Sequence, residues 1–493
     1  MRKGLAFVLL LGAAVAFFFA SDLPPVQDAP GHAGLIALRH RIAESAFDQR
    51  FFRYEANLGP YSLFRLLGEL GRRIHGPLFA ARLLSALPIV TLPAAVLYAR
   101  RRLHRDESLT MGYVALAFAL GLPTIMGLAA YLLGLSAFIA LYTFWAASPE
   151  RPRLGRRIAL AGLAVGLYLT HGHAFLLFAA AIGLASQVGL EGGRLDVRAR
   201  KAWAVALLLL PAFGLAAFVQ WTTSAGAAGH RAAHGIEFRG ALDKVSLLAT
   251  PSLMTRYGVD TAAGIVLAIV VVALLVRSAR GDDRREARRA GAVAALFLVA
   301  FAAMPRTIGW FGFADGRLVL PMLLMALVGA RLDALGSRAA RAFAVAAPVL
   351  ALAVVATDHL ALRRFRAECR GFSTVLAEIP AETSLLYFPT RTESDAFSGD
   401  PFRHFDKLAV AASPTLVGEL WAHQGAAIYL TADNPATRLP IAYTERNEKA
   451  PRDVPFDAGD WEMLLLRSAS PPEVPSAYGL VRRDGDFWLF RRR

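Results

Sequence analysis

The chain has 493 residues, of which 56% are hydrophobic and 19% are charged, and its mean hydropathy is +0.43. This composition excludes an ordinary soluble domain and predicts a multi-pass membrane protein. The net charge of +16 comes from arginines that flank apolar runs, so it predicts contacts with membrane lipids and excludes a nucleic-acid partner. The single cysteine, Cys369, excludes an intrachain disulfide and a cysteine-based metal site.

Long apolar runs predict about eleven membrane-spanning helices, because a span needs roughly 17 to 25 apolar residues. Two runs are too long for one span, and we divide residues 109–147 at 121–124 and residues 158–190 at 170–173, where turn-forming residues interrupt them. The first run is interpreted as an uncleaved span, since the bulky Phe17 to Phe19 fit a signal-peptide cleavage site poorly. The undivided runs lie near residues 5–20, 78–99, 202–221, 261–276, 290–304, 318–330 and 342–357.

Arginine-rich loops between these runs predict the orientation of the chain. Such loops stay on the cytoplasmic side, because cationic segments translocate poorly. The amino terminus is predicted to be cytoplasmic, and an odd number of spans then places the carboxyl terminus on the extracytoplasmic side. The chain is predicted to be a multi-pass protein of the inner (cytoplasmic) membrane. The arginine-rich loops are residues 100–105, 151–157, 194–201, 277–289 and 331–341.

The predicted fold class is mainly α: a polytopic transmembrane helical bundle with surface helices in the first outer loop and a small C-terminal extracytoplasmic α/β domain. We assign residues 1–357 to the transmembrane part, with the first outer loop at 21–77, and residues 358–493 to the terminal domain. In that loop, residues 61–74 carry leucines at helical spacing between charged residues, which is typical of a helix lying on a bilayer surface.

The terminal domain is predicted from its helical and strand patterns. A helix over residues 360–379 is followed by a strand over 384–389 and by a helix near 405–423. The dipeptide Asp484-Gly485 predicts a tight hairpin turn between two strands. The charged loop before residue 405 alternates in sign and is predicted to be solvated surface, with acceptor binding as the alternative. Its charged residues are Arg391, Glu393, Asp395, Arg403 and His404.

Several segments carry a resemblance to a known family. They are an acidic residue within residues 26–32 of the first outer loop, residues 58–61 beside a surface helix, residues 76–84 at the start of the second span, and a histidine-bearing outer turn. With the short hairpin spans and the outer terminal domain, they resemble the glycosyltransferase-C superfamily. The resemblance implies an integral membrane enzyme that transfers a hexosyl or pentosyl group from a polyprenyl-phosphate donor to a lipid, glycan or protein acceptor on the extracytoplasmic face.

This activity needs a base for the acceptor hydroxyl, and Asp28 is our candidate for that catalytic role. With Pro30 two residues later, Asp28 is also a typical helix N-cap, and the two roles are compatible. His32 follows one helical turn later, and His171 and His173 occupy an outer turn, so these three are candidate substrate-binding residues, with a polar interface as the alternative. Members of the superfamily often place a second acidic residue near the first, but this sequence has no adjacent acidic pair. No cofactor is therefore predicted, and a divalent metal is left open.

Arginines in outer loops are informative because they run against the usual charge bias. Arg306 and Arg317 lie among aromatic residues and glycines, and guanidinium groups bind phosphate well, so both are candidate donor-binding residues. The alternative is an interfacial aromatic belt in which Asp315 neutralises Arg317. Glu55 is a further substrate-binding candidate in the first outer loop. An acceptor site is also conceivable at His230, His234 and Glu237.

Two other functional classes compete with the enzyme. A polytopic transporter or flippase is expected to have polar residues deep in its spans, and these are scarce here. A noncatalytic cell-envelope assembly protein would need no base, and the absence of an acidic pair is consistent with it. Substitution of Asp28 separates that class from an enzyme.

Overall fold

The computed structural model describes residues 2–149, 152–188, 195–224, 235–248, 252–281, 285–308, 311–420, 427–440, 443 and 448–493. Helices make up most of this part, as the hydropathy pattern predicts. The helices are α1 Arg2–Ala16, α2 Ala29–Arg41, α3 Ala46–Phe51, α4 Ser62–His104, α5 Thr110–Ala119, α6 Leu122–Ile125, α7 Ala129–Ala146, α8 Leu154–Thr170, α9 Gly172–Ala185, α10 Leu195–Ser224, α11 Ala241–Leu248, α12 Val259–Arg280, α13 Arg285–Ala303, α14 Val319–Gly329, α15 Ser337–Glu368, α16 Phe372–Ala377 and α17 Lys407–Ala412.

Each apolar segment that was predicted to span the membrane overlaps at least one of these helices. Five described helices, α4, α7, α10, α12 and α15, are long and apolar enough to cross a membrane. Large apolar side chains remain exposed on them, for example Trp203 (67%) and Leu210 (61%) of α10. Extended apolar surface of this kind suits lipid contact better than water. The predicted mainly α, polytopic class is confirmed, while the number of spans stays a prediction.

Both predicted breaks within long apolar runs are present. Between α5 and α7 the chain forms the one-turn helix α6, and Gly127 then adopts a φ of +85°. Between α8 and α9, His171 is extended, with φ −162° and ψ 116°. Its Nδ1 accepts a hydrogen bond from the backbone N–H of Ala174 at 3.4 Å, so the side chain caps α9. Turn residues thus end one helix and start the next at each break.

The predicted surface helix and the second span are joined in α4. His75 and Gly76 have non-helical backbone angles within it, and Pro77 follows them, so the helix changes direction at this point. Before the kink, Leu66 and Leu70 are about half exposed (54% and 48%). This exposure is consistent with the predicted position on a bilayer surface.

The carboxyl-terminal part is built around a five-stranded sheet. Its order is β5-β4-β7-β9-β8, in which β4 is parallel to β5 and β7, and β9 is antiparallel to β7 and β8. Gly485, with a φ of +58°, forms the predicted hairpin turn between β8 and β9. The strands are β1 Phe52–Tyr54, β2 Ile236–Glu237, β3 Thr307–Ile308, β4 Thr383–Pro389, β5 Thr415–Val417, β6 Ile428–Leu430, β7 Met463–Arg467, β8 Tyr478–Asp484 and β9 Phe487–Arg492.

Three details of the terminal part differ from the sequence-based expectation. The predicted helix over residues 360–379 is interrupted after Glu368, where Gly371 adopts a φ of +84° and the separate helix α16 begins at Phe372. Helix α15 runs without interruption from Ser337 to Glu368, past residue 357, so the predicted domain boundary lies inside a helix. The predicted helix near residues 405–423 is wrong at residues 413–420, and residues 421–423 lie outside the described residues. Ser413 is extended and Pro414 follows it, which ends α17 and starts β5.

The first outer loop packs against the terminal part at two places. Strand β1 pairs antiparallel with β6, with Phe52 opposite Leu430 and Tyr54 opposite Ile428. Helix α2 lies against α17 so closely that a Cβ on Gly34 would stand 2.9 Å from the carbonyl oxygen of Lys407. Only glycine permits this approach without a shift of the backbone. The first outer loop and the terminal part therefore pack together as one layer.

Substitution of Gly371 tests the packing in this layer. Gly371 has a φ of +84°, and an alanine Cβ there would overlap the carbonyl oxygen of Asp484. Gly258 has a similar φ of +77° but open space around the same position, so it is the matched control. Gly258→Ala should cost only backbone strain, roughly 1 kcal/mol, while Gly371→Ala should cost about 1 to 3 kcal/mol more. Thermal unfolding in detergent measures the difference, and equal melting temperatures would contradict the close approach.

Candidate active site

Asp28 lies directly before α2, where its carboxyl is held between two distant parts of the chain. On one side is the turn after α6: Gln27 donates its backbone N–H to the carbonyl of Ile125 at 2.8 Å, and a Cβ on Gly127 would stand 2.5 Å from the Cβ of Asp28. On the other side, Nε2 of His404 lies 3.6 Å from Oδ1 of Asp28. The carboxyl makes no capping hydrogen bond to α2, although Asp28 occupies the N-cap position. The carboxylate of Asp28 is therefore not used to cap α2.

Asp28 lies among cationic side chains, but the pKa of its carboxyl is nevertheless raised. Burial raises the pKa of Asp28 from 3.8 to about 7, and the positive charges of Arg403, Lys407 and Arg317 oppose that rise. A side-chain hydrogen bond from Gln27 also lowers the pKa. A carboxyl with a pKa near neutrality exchanges a proton readily at physiological pH, which is the property that a general base needs.

Arg317 is the cation that connects Asp28 with the second group of predicted residues. It lies in a single 3-10 turn, Gly316–Leu318, directly before α14. Its guanidinium stands 4.4 Å from the ring centre of Phe311 and 5.7 Å from that of Tyr131, and it hydrogen-bonds to the side chain of Tyr61. Its Nε is buried and has no hydrogen-bond partner among the residues that the structure describes. A buried guanidinium with a spare donor suits an anionic ligand.

The alternative interpretation, in which Asp315 neutralises Arg317, does not agree with the structure. The Oδ2 of Asp315 pairs with Nε of Arg239 at 3.0 Å, and its Oδ1 accepts the backbone N–H of Gly316 at 2.8 Å. Asp315 is fully buried and thus serves to fix the turn that carries Arg317. The positive charge of Arg317 is left available to the site.

His171 and His173 lie beside Arg317, as members of an aromatic cluster. Nε2 of His171 and the hydroxyl of Tyr61 are 3.2 Å apart. Because Nδ1 of His171 accepts from a backbone N–H, a neutral ring carries its proton on Nε2 and donates to Tyr61. The ring of His173 stacks on Tyr131 with centres 5.7 Å apart, and its Nδ1 is buried with no hydrogen-bond partner in the described ranges. The outer turn of the α8–α9 pair thus joins the Arg317 group.

The remaining predicted residues are placed differently. His32 lies one turn into α2, with Nε2 3.4 Å from the carbonyl oxygen of Gly127, and burial lowers its pKa to about 4. It therefore supports the turn beside Asp28. Glu55 is half exposed and pairs with Arg53 at 3.1 Å. Arg306 is exposed and is not among the cations that act on Asp28. Glu237 is exposed in β2, and His230 and His234 lie outside the described residues.

Sequence reasoning placed no residue of the terminal part beside Asp28, and it did not single out Lys407. The loop before α17 was predicted to be solvated surface, which is wrong for His404, since only 3% of its side chain is exposed. Lys407 is also buried, with 1% of its side chain exposed. The available signal was the alternation of these charged residues with Phe402 and Phe405, which are fully buried. Tyr61 and Tyr131 were missed because each reads as an ordinary interfacial aromatic residue.

Comparison of the whole structure with solved structures shows the same architecture elsewhere. The apo crystal structure of ArnT from Cupriavidus metallidurans aligns with a TM-score of 0.54 and 14% sequence identity, over 98% of this chain and 97% of that one. The same protein bound to undecaprenyl phosphate aligns with a TM-score of 0.52, also at 14% identity, over 98% and 97%. This chain has the same fold as ArnT.

A more distant similarity is too weak to support a functional argument. An oligosaccharyltransferase from Archaeoglobus fulgidus, in complex with Zn and sulfate, aligns with a TM-score of 0.44 and 13% identity over 94% of this chain and 68% of that one. No protein-family model and no curated protein matches the sequence. The fold that the sequence resemblance implies, a polytopic helical bundle with a terminal α/β part, is thus the fold that this chain shares with ArnT.

The residues around Asp28 do not fit a divalent metal. Such an ion needs several oxygen or imidazole ligands. Among the residues that the structure describes, no group of three or more histidine, cysteine or acidic side chains is placed to hold one. The nearest charged neighbours of Asp28 are Arg403, Lys407 and Arg317, which repel a cation. These residues therefore form a site suited to an anion, and Asp28 is the one carboxyl group in it.

The raised pKa of Asp28 predicts a pH-dependent difference in stability. A carboxyl whose pKa rises from 3.8 to about 7 on folding stabilises the fold while protonated, and this contribution is lost as the pH rises through 7. Between about pH 5 and pH 8 the wild type should lose roughly 2 kcal/mol relative to Asp28→Asn, a value reduced for the 19% of the side chain that water reaches. Chemical unfolding at both pH values measures it.

Asp22→Asn is the matched control for that measurement, because Asp22 is an exposed carboxylate of the same loop. If the stability difference between wild type and Asp28→Asn is the same at both pH values, the pKa of Asp28 is not raised by folding.

Proposed function

We propose that this chain is an integral membrane glycosyltransferase, which transfers a sugar from a polyprenyl-phosphate donor to a lipid, glycan or protein acceptor. Asp28 is the general base, Arg317 binds the donor phosphate, and His171 and His173 complete the donor site. The reaction takes place on the extracytoplasmic face of the inner membrane, with the amino terminus in the cytoplasm and the terminal α/β part outside. The transferred group is a hexosyl or pentosyl residue.

The observation that carries this proposal is the position of Arg317. Within the described part of the chain its buried Nε lacks a hydrogen-bond partner, and its charge acts on Asp28, Tyr61, His171 and His173 together. A phosphate at this place would accept from the guanidinium and stand near an acid with a pKa of about 7. The ArnT structure with bound undecaprenyl phosphate has the same fold and thus supports a polyprenyl-phosphate donor.

The proposed reaction is a single displacement with inversion at the sugar. The acceptor hydroxyl gives its proton to Asp28, and its oxygen forms a bond to the anomeric carbon. The bond between that carbon and the phosphate oxygen breaks, and polyprenyl phosphate leaves with the bonding electron pair. Arg317 stabilises the negative charge that develops on the phosphate, because its guanidinium is fixed in place before the reaction.

Donor binding tests the role of Arg317. Arg317→Ala should weaken the binding of a polyprenyl-phosphate sugar about 30-fold, since a charge-assisted hydrogen bond contributes roughly 2 kcal/mol. Arg306→Ala removes the same charge from the same outer segment but from an exposed position, so it should change binding by less than about threefold. A panel of radiolabelled donors in lipid nanodiscs gives the affinities. Equal losses in the two variants would show that charge alone, and not the Arg317 site, attracts the donor.

Transfer to acceptor tests the role of Asp28. Asp28→Asn should lower the transfer rate by at least about 100-fold while donor affinity stays within about threefold, because a base is needed only for the chemical step. The matched control is Asp22→Asn, which removes an exposed carboxylate from the same loop. Retained transfer by Asp28→Asn removes Asp28 from the mechanism. Absence of transfer by the wild type, with every donor tried, contradicts the proposed function itself.

A further inference from the structure

The segment before α17 places a buried pair of basic side chains behind Asp28. His404 is 3% exposed, and its Nε2 faces Oδ1 of Asp28 at 3.6 Å. On the other side of the ring, Nδ1 of His404 lies 2.9 Å from Nζ of Lys407. Lys407 itself lies against Asp406, with Nζ 3.5 Å from Oδ1. The order of the groups is therefore carboxylate, imidazole, ammonium and carboxylate.

The chemistry of lysine decides where the proton of His404 lies. An ammonium group has three donors and no acceptor, so Nδ1 of His404 must be the acceptor of their hydrogen bond. A neutral imidazole has one N–H, which is then on Nε2 and directed at Asp28. A doubly protonated ring is disfavoured, because burial and the charges of Lys407, Arg403, Lys449 and His32 all lower the pKa of His404. The carboxylate thus faces an N–H donor.

We propose that His404 is a positioning residue for Asp28: its Nε2–H, held in that tautomer by Lys407, orients the carboxylate and stabilises its ionised form. The 3.6 Å separation closes to a hydrogen bond with a shift of the imidazole of about half an ångström. The role of Asp28 as base rests on the proposed function, whereas the tautomer of His404 does not. The terminal part of the chain then acts on the site directly.

The surroundings of the pair restrict the movement of both side chains. The neighbouring Phe402 and Phe405 are fully buried, with ring centres 4.8 Å apart. The backbone of Lys407 packs against Gly34. Gly34 belongs to α2, the helix that begins directly after Asp28. Further back, Lys449 pairs with Glu419 at 3.4 Å. The imidazole is therefore fixed relative to the helix that carries Asp28, which is what a positioning residue requires.

The pH profile of transfer separates positioning from a merely structural role. Glutamine places an N–H donor where Nε2 of histidine stands, whereas asparagine is too short to do so. His404→Asn should therefore raise the pKa of the base and move the acid limb of kcat up by about 0.5 to 1 pH unit. Its rate should be about 3- to 10-fold below that of wild type at low pH, with a smaller deficit at high pH. His404→Gln should restore the acid limb, and His40→Asn, at an exposed histidine of α2, should leave it unchanged.

Other polar and charged groups that face Asp28 and His404 also influence the pH profile of transfer. They are Arg317 and Tyr61 near Asp28, and Arg403, Lys449 and His32 near His404. None of them is altered in the Asn and Gln variants, so the difference between those two variants reports the donor at the Nε2 position. Identical profiles for His404→Asn and His404→Gln, or an equal loss at every pH, would overturn the proposal.

A second measurement does not depend on transfer. The nitrogen resonances of 15N-histidine-labelled protein, with His404 assigned by its loss in His404→Gln, should show a protonated Nε2 and an unprotonated Nδ1. Lys407→Met should remove this preference, because the donor to Nδ1 is gone. A wild-type His404 with its proton on Nδ1 refutes the inference even if the enzyme is active. An inactive wild type with the expected tautomer refutes the proposed function and leaves the positioning contact standing.

Discussion

The confinement of Asp28 between two backbones that are distant in sequence is the constraint on which the site depends. Gly127, at the break between two apolar helices, approaches Asp28 so closely that a side chain would not fit. On the opposite side, α2 is pressed onto the carbonyl of Lys407 through Gly34. Both approaches use glycine because only a residue without Cβ allows two backbones to come this near. The acid is thereby fixed relative to the outer turn of the apolar helices and relative to the terminal part.

The electrostatic character of the site follows from this confinement. Burial makes ionisation of Asp28 costly, and Arg403, Lys407 and Arg317 offset only part of the cost, so its pKa lies at about 7. The same cations make the surroundings attractive to a phosphate and unattractive to a metal ion. An acid that is poised near neutrality beside an anion site is a coherent arrangement for sugar transfer from a lipid phosphate.

The sequence was informative wherever a single element decides the outcome. Apolar runs of sufficient length became helices, the interruption at residues 121–124 became α6, and His171 ended one helix and capped the next. The Asp484-Gly485 turn joined the last two strands. Local errors had local causes that are visible in hindsight: Ser413 and Pro414 stopped α17, and α15 continued past residue 357 because nothing in its sequence breaks a helix there.

By itself, then, the sequence determined that this is a mainly helical, polytopic chain with a terminal α/β part. It also singled out Asp28 and Arg317 as candidate site residues. Both were possible because hydropathy, charge bias and turn chemistry act within short segments. Only the tertiary structure decided what surrounds them. Asp315 turned to Arg239 and not to its near neighbour Arg317, and His404 and Lys407, about 380 residues after Asp28, became buried behind it. Such pairings depend on packing between elements that are remote in the chain, and no local pattern records which of many charged residues will share a buried site.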